Sequence, residues 1–283
     1  MMSEQGDPLV SADWLMTNIT APDVRIVDAT WFASWTNPVE TGREAWKRGH
    51  IPKAVYFDID EIADTASPYP HMMPDAVKFS SRARKLGLGD GSRIVVYDQN
   101  RFFASARAWW MLRVMGHKDV YVLDGGLHAW VSEGGALDDL PTPPGERHFT
   151  PRVRSDLIMD ARDMEQLVGS ARVKIIDARP DGRFFGRDPE PRAGLPSGHI
   201  PGSINVPGSL LVSEDGRMKS AEELRRLMPD PGAPTVATCG SGVTAAITAL
   251  ALARLGNWDV AVYDGSWTEW ASDPSRPIVR GAP

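Results

Sequence analysis

The sequence predicts an α/β protein of two tandem domains, each a mainly parallel sheet flanked by helices on both faces. Three observations predict it. The same succession of motifs occurs twice at matched spacing. Short β-rich runs alternate with helical patterns of about 10–15 residues, as parallel strands with crossover helices require. A length of 283 residues, at about 150 per domain, gives two cores.

The first copy reads VRIVDAT (Val24 to Thr30), GHIPKAVYFDI (Gly49 to Ile59), RIVVYD (Arg93 to Asp98), a helical ASARAWWMLRVMGH and DVYVLDGGLHAW (Asp119 to Trp130). The second reads VKIIDAR (Val173 to Arg179), GHIPGSINVP (Gly198 to Pro207), TVATC (Thr235 to Cys239), a helical TAAITALALARLG and DVAVYDGSWTEW (Asp259 to Trp270). Asp28 to His50 and Asp177 to His199 both span 22 positions, and Asp124 to Trp130 and Asp264 to Trp270 both span 6. This is a tandem duplication. The stretch from Asp138 to Arg154 is rich in proline and charge and lacks periodicity, so it reads as the seam. The expected units are 7–143, a linker 144–154, and 155–283. His50 and His199 stand in a Gly-His-Ile-Pro run in both copies and read as structural, fixing where the chain enters a strand; Asp28 and Asp177 read the same way.

Composition narrows the function. Apolar residues at 42% and charged residues at 24% fit a globular chain. Lys+Arg at 31 against Asp+Glu at 37 gives a net charge of −6, so there is no global basic field for nucleic acid. The apolar stretch Ala245 to Ala253 is far short of the roughly 20 residues that span a bilayer, so no membrane partner is expected. The first residues show neither a basic-then-apolar nor an Arg-rich pattern, which makes a cytoplasmic location the expectation. In that setting the Asn18-Ile19-Thr20 sequon carries no meaning. One cysteine, Cys239, excludes an intrachain disulfide and any multi-thiolate metal site.

The two copies differ at one matched place. The first continues from its third strand as Asp98-Gln99-Asn100-Arg101, whereas the second has Cys239-Gly240-Ser241-Gly242-Val243-Thr244-Ala245. A parallel-sheet site lies outside the carboxyl ends of the strands, where Cys239 stands. Two glycines let the backbone curl so that successive N–H groups point inward, and the helix from Ala245 to Leu255 adds the positive end of its dipole. A thiol there is expected to be largely thiolate near neutral pH. The alternative, a small buried core cysteine, does not account for its place between a strand and a Gly-rich helix start.

Three chemistries compete for this loop. Gly240 to Ala245 fits the dinucleotide fingerprint G-x-G-x-x-G/A, with Asp259 about 20 residues on, but too little chain follows for a mononucleotide-binding half. A cysteine phosphatase places an arginine after five loop residues, where this chain has Ala245. Sulfur transfer remains, with the loop cradling a persulfide.

From about Asp7 to Trp270 the sequence resembles the two-domain rhodanese-type sulfurtransferases, and CGSGVTA resembles the loop of their 3-mercaptopyruvate branch. GRFFGRDPEPRAGLPSGHIPGSINVP (Gly182 to Pro207), SPYPHMMP (Ser67 to Pro74) and YDGSWTEW (Tyr263 to Trp270) carry the same likeness. The resemblance implies two rhodanese-like domains with the site in the cleft between them and a first domain lacking the catalytic cysteine. It implies that thiosulfate-type members carry basic residues after the cysteine, where this chain has Gly240 and Ser241, so a neutral loop suits a monoanionic carboxylate. It further implies that Arg183 and Arg192 bind the substrate's carboxylate and carbonyl, beside Gly240, Gly242, Val243 and Thr244. Guanidinium forks suit that task, although ion pairing with Asp188 or Glu190 would explain the same residues, and Arg187 lies close enough to be confused with either. Finally it implies a serine-protease-like relay of Asp60, His71 and Ser241. Spacing alone leaves open whether those three meet. Trp31 and Trp35 remain open between cleft lining and packing.

The reaction implied is ping-pong. Cys239 takes sulfur from 3-mercaptopyruvate, with thiosulfate as the alternative donor, and pyruvate leaves. Thioredoxin, a small thiol or cyanide then removes the sulfur. No metal and no organic cofactor is called for, because the cysteine is the carrier. A persulfide carrier that delivers sulfur to a protein partner is the alternative in a different class.

Overall fold

In the computed structural model, residues 6–141, 143–145, 147–170 and 172–281 are described; Glu146 of the expected linker lies outside them, as do Ala171, Ala282 and Pro283 of the second unit. The first sheet has strands β1 (Leu9–Val10), β2 (Val24–Asp28), β3 (Val55–Tyr56), β4 (Arg93–Tyr97) and β5 (Val120–Leu123), in the order β1-β5-β4-β2-β3. The second repeats it with β6 (Ile158–Met159), β7 (Lys174–Asp177), β8 (Ile204–Asn205), β9 (Thr235–Thr238) and β10 (Ala261–Tyr263), in the order β6-β10-β9-β7-β8. Every pairing within the two sheets is parallel. The duplication is therefore structural as well as sequential. The edge strands β1 and β6 escape the sequence patterns, because two partly buried residues show no alternation.

Alternation along the central strands sorts side chains between two layers. Val27, Ile94, Val96, Val120 and Val122 face a core shared by both halves, while Ile26, Val95, Tyr97 and Leu123 face an outer layer under α1 (Ala12–Asn18) and the helix Gly126–Ser132. The shared core is built around two helices, α2 (Ser105–Val114) and α3 (Ala245–Arg254), which pack against each other across the domain interface. Each also lies on its own sheet, and that double coverage explains why α3 is apolar all round, with nine of its ten residues buried. Replacing a mid-helix leucine such as Leu250 with alanine would open a cavity costing about 2–5 kcal/mol.

Among the described residues the seam holds no helix or strand, yet it is tied down. Phe149 is buried between Phe79 and His117, and the Arg152 and Arg154 N–H groups donate to the carbonyls of Met115 and Val114. His50 and His199 have matching structural jobs. Each ring bonds a carbonyl one turn or loop away, Trp46 O and Phe184 O, and each backbone pairs with a later segment, Asp138 and Val279. The histidine thus pins the far end of its domain onto the strand entrance.

In the second sheet the chain steps from β7 to β8 on one side and then to β9 on the other. The loops after β7 and β9 part at this reversal and leave a crevice. Arg183 stands in the short helix Asp181–Phe184 that follows β7, and Cys239 directly follows β9.

Candidate active site

Cys239 follows β9 directly and is buried. Three carbonyls of its loop are held from outside. Cys239 O accepts from Trp267 N at 2.9 Å, Gly240 O from Thr268 N at 2.9 Å and Thr268 Oγ1 at 2.6 Å, and Gly242 O from Arg107 Nη1 at 3.2 Å. In a trans peptide the N–H points opposite to the C=O, so these bonds turn the N–H groups of Gly240, Ser241 and Val243 toward the inside of the loop. Among the described residues, no acceptor takes a hydrogen bond from the N–H groups of Gly240 through Thr244. They form an open nest for an anion beside Cys239 and before the N-terminus of α3. Gly242 needs its glycine: φ is +76°, and a Cβ would meet Asp264 O at 2.7 Å.

The cysteine-free domain shows such a nest occupied. Asp98, which matches Cys239, turns its carboxylate into its own loop, where it accepts from the N–H groups of Asn100, Phe102, Ala104 and Ser105 at 2.8–3.1 Å. An anion at this point of the fold is what the loop geometry satisfies.

Two guanidinium groups border the open side of the cysteine loop. A methyl placed on Gly240 would lie 3.2 Å from Arg183 Nη2 and 3.7 Å from Arg192 Nη1. Their situations differ. Arg183 is paired through Nη2 and Nε with Glu190 Oε2 at 2.5 and 3.0 Å, and the buried Glu190 also binds Arg179, which in turn pairs with Asp177. Arg192 has no carboxylate partner among the described residues; its Nη2 donates to Ser241 Oγ at 3.1 Å, and its plane rests on Trp35. Burial pulls the Arg192 guanidinium down from its ordinary value; Cys239 opposes this and the neighbouring Arg183 adds to it. Arg187 is not part of this group: it is exposed, paired with Asp181 and set over Phe185.

Across the cleft, the first domain contributes His71 and Asp60. His71 Nδ1 lies 2.7 Å from Asp60 Oδ1, and the other carboxylate oxygen accepts from Trp31 Nε1 at 2.6 Å. The Trp31 ring stands edge-on to His71 at 5.0 Å. Burial alone would raise the Asp60 carboxyl, but His71, the Trp31 N–H and the Arg192 charge reverse that and hold it below the ordinary carboxylate value. The helix cap here is Asp58, which frees Asp60 for His71. Among the described residues, no hydrogen bond joins His71 to Ser241, whose hydroxyl oxygen accepts from Arg192 Nη2.

Two cavities open on this group, and Trp35 lines both. One, of about 390 Å³, is walled by Phe103, Ile247, Arg183 and Gly240. The other, of about 570 Å³, is walled by Trp31, Asp60, His71 and Arg192.

The rhodanese-like domain family model matches residues 11–133 and 160–273. The chain belongs to the rhodanese family. Relatives of this rhodanese chain include the 3-mercaptopyruvate sulfurtransferase of Homo sapiens, 39% identical over 93% of this chain and 91% of that protein, and the thiosulfate sulfurtransferase of Rattus norvegicus, 40% identical over 96% and 95%. Among solved structures, the Escherichia coli 3-mercaptopyruvate sulfurtransferase SseA superposes with a TM-score of 0.84 at 37% identity, covering 92% of this chain and 99% of that one.

Three contributions to the site of this rhodanese go beyond the sequence reading, which left Glu190 and Trp35 open and missed Arg107. Glu190 is a buttress for Arg183 rather than a solvated partner. Trp35 is a platform for Arg192. Arg107 reaches the cysteine loop from the other domain, and its trace in the sequence is a charge in the first turn of a mostly apolar helix whose other charge, Arg113, stands in the last turn.

Proposed function

We propose that this chain is a sulfurtransferase that moves sulfur from 3-mercaptopyruvate to a thiol or cyanide through a Cys239 persulfide. The observation that carries the reading is the open N–H nest beside Cys239, next to the neutral Gly240 and Ser241 and an arginine without a carboxylate partner. Arg192 supplies the cation for the donor's carboxylate, and Arg183, fixed by Glu190, faces its carbonyl. The Cys239 thiolate attacks the donor sulfur. The carbon–sulfur bond breaks, its electron pair stays on the carbon of the pyruvate enolate, and that carbon is then protonated. Cys239 keeps the transferred sulfur as a persulfide anion, which the N–H groups of Gly240, Ser241, Gly242, Val243 and Thr244 stabilise. The Asp60–His71 pair holds a proton at the cleft wall for the departing enolate, and Ser241 orients Arg192. In the second half, thioredoxin, a small thiol or cyanide attacks the outer sulfur, and the sulfur–sulfur electron pair returns to Cys239.

Relatives that act on thiosulfate are as similar as those that act on 3-mercaptopyruvate, so thiosulfate is the second reading. The uncharged positions after Cys239 favour the monoanion over the dianion. The test mixes purified protein with each donor and follows pyruvate and intact mass, with Cys239→Ser as control. One added sulfur with pyruvate release, stronger with 3-mercaptopyruvate and lost in the variant, is expected. An adduct from thiosulfate alone moves the protein to that donor; no adduct from either overturns the reading.

A further inference from the structure

The domain without a cysteine sends one charged side chain into the other domain's loop. Arg107 sits in the first turn of α2 and is fully buried, with its guanidinium 4.4 Å over the Trp110 ring. Burying a guanidinium is costly unless its donors are met; here Nη1 and Nη2 reach three separate segments, while Nε has no partner among the described residues. Nη2 donates to Asp264 Oδ1 at 2.7 Å and to His71 O at 2.5 Å, and Nη1 donates to Gly242 O at 3.2 Å.

Each of these contacts bears on the site. Holding Gly242 O outward turns the Val243 N–H of the same peptide into the nest. Holding His71 O fixes a residue at φ +64°, a left-handed conformation that costs free energy away from glycine, and so sets the ring that faces Asp60. Asp264 neutralises the arginine, so its role is to place these groups rather than to add net charge.

The duplication supplies an internal control. The domains exchange one matched pair of contacts: Asp264 Oδ2 accepts from Met73 N at 2.6 Å, and its counterpart Asp124 Oδ1 accepts from Met218 N at 2.8 Å. The triple bridge made by Arg107 accompanies only the first of these, on the Cys239 side. On the Asp124 side the domains are tied instead by the ion pairs Arg217–Glu133 and Arg254–Asp7, neither of which holds a carbonyl of the Asp98 loop as Arg107 holds Gly242 O.

We infer that Arg107 is a positioning residue for sulfur transfer, by which the cysteine-free domain sets both the N–H nest of the Cys239 loop and the His71 ring. This rests on the proposed role of Cys239. The test compares Arg107→Gln and Arg107→Lys with Asp124→Ala, which removes the matched contact away from the cysteine. Two rates are measured per titratable thiol: alkylation of Cys239 by iodoacetamide from pH 6 to 9, and single-turnover persulfide formation from 3-mercaptopyruvate. Both Arg107 variants are expected to lose tenfold or more in each rate at pH 7, with the alkylation profile displaced to higher pH, and Lys to recover only part because one ammonium cannot span three acceptors. Asp124→Ala is expected to stay within twofold while losing comparable thermal stability. Arg107 variants within twofold of the parent, or an equal loss in Asp124→Ala, would overturn the inference. Should Arg107→Gln not fold, Arg107→Lys decides by the same criteria. Alkylation needs no sulfur donor, so a parent protein that forms no persulfide would sink the reading of function while leaving the positioning role to be judged.

Discussion

The guanidinium of Arg192, in the second domain, lies on the indole of Trp35, in the first, with its central carbon 4.7 Å from the ring centroid. The cation proposed to bind the substrate's carboxylate is thus held flat by an aromatic platform from the other domain. Such a contact contributes about 1 kcal/mol when partly exposed. Trp35→Ala should therefore raise KM for 3-mercaptopyruvate about fivefold with a smaller change in kcat, and Trp35→Phe should recover most of the loss. Steady-state kinetics checks this; an unchanged KM would leave Trp35 as packing.

His71 is proposed to supply the enolate's proton, and general acid–base groups contribute about a hundredfold or more. His71→Ala should lower turnover with 3-mercaptopyruvate by about that factor. Unchanged turnover from pH 6 to 9 removes His71 from the reaction. The Asp60 carboxyl is held below its ordinary value, so it stays ionised over the same range and adds no limb of its own. Its contribution to stability is present above the ordinary carboxylate value and is lost only as pH falls through the lowered one. Asp60→Asn should cost about tenfold in turnover at every pH from 6 to 9.

Asp98 fills its own loop with four charge-assisted bonds. Each buried N–H stripped of its acceptor costs about 1–3 kcal/mol, less where water enters. Asp98→Ala should destabilise the protein by about 3 kcal/mol or more in chemical denaturation, with sulfur transfer per folded molecule unchanged. A variant as stable as the parent would mean that the loop does not need an anion.

Asp28 is buried at the end of β2 and its carboxyl is pushed up to about 6, mainly by desolvation. The folded state then holds a proton that the unfolded state releases between pH 4 and 6. This contribution is fully present below the ordinary carboxylate value and fades as pH rises through about 6, by up to about 3 kcal/mol. Its counterpart Asp177 is paired with Arg179, where the first copy has Thr30. Denaturation of Asp28→Asn at pH 5 and 7.5 should show a smaller difference between the two pH values than the parent does; an equal difference assigns the proton elsewhere.

The sequence by itself determined the duplicated α/β plan, the position of the single nucleophile and the glycine-built loop around it. These follow from local features: strand and helix periodicity, matched spacing, and a Gly-rich turn joining a strand to a helix. The edge strands β1 and β6, two residues each, were too short to carry a period. Only the tertiary structure decided which residues meet at Cys239. Arg107 and Gly242 lie 135 positions apart and Arg192 and Ser241 lie 49 apart, while Trp35 reaches Arg192 from the other domain. Such pairings are set by how the shared apolar core docks one sheet against the other, and no local pattern records that docking. The same holds for Arg183 and Arg192, alike as sequence: a buried glutamate ties one and leaves the other to the cleft.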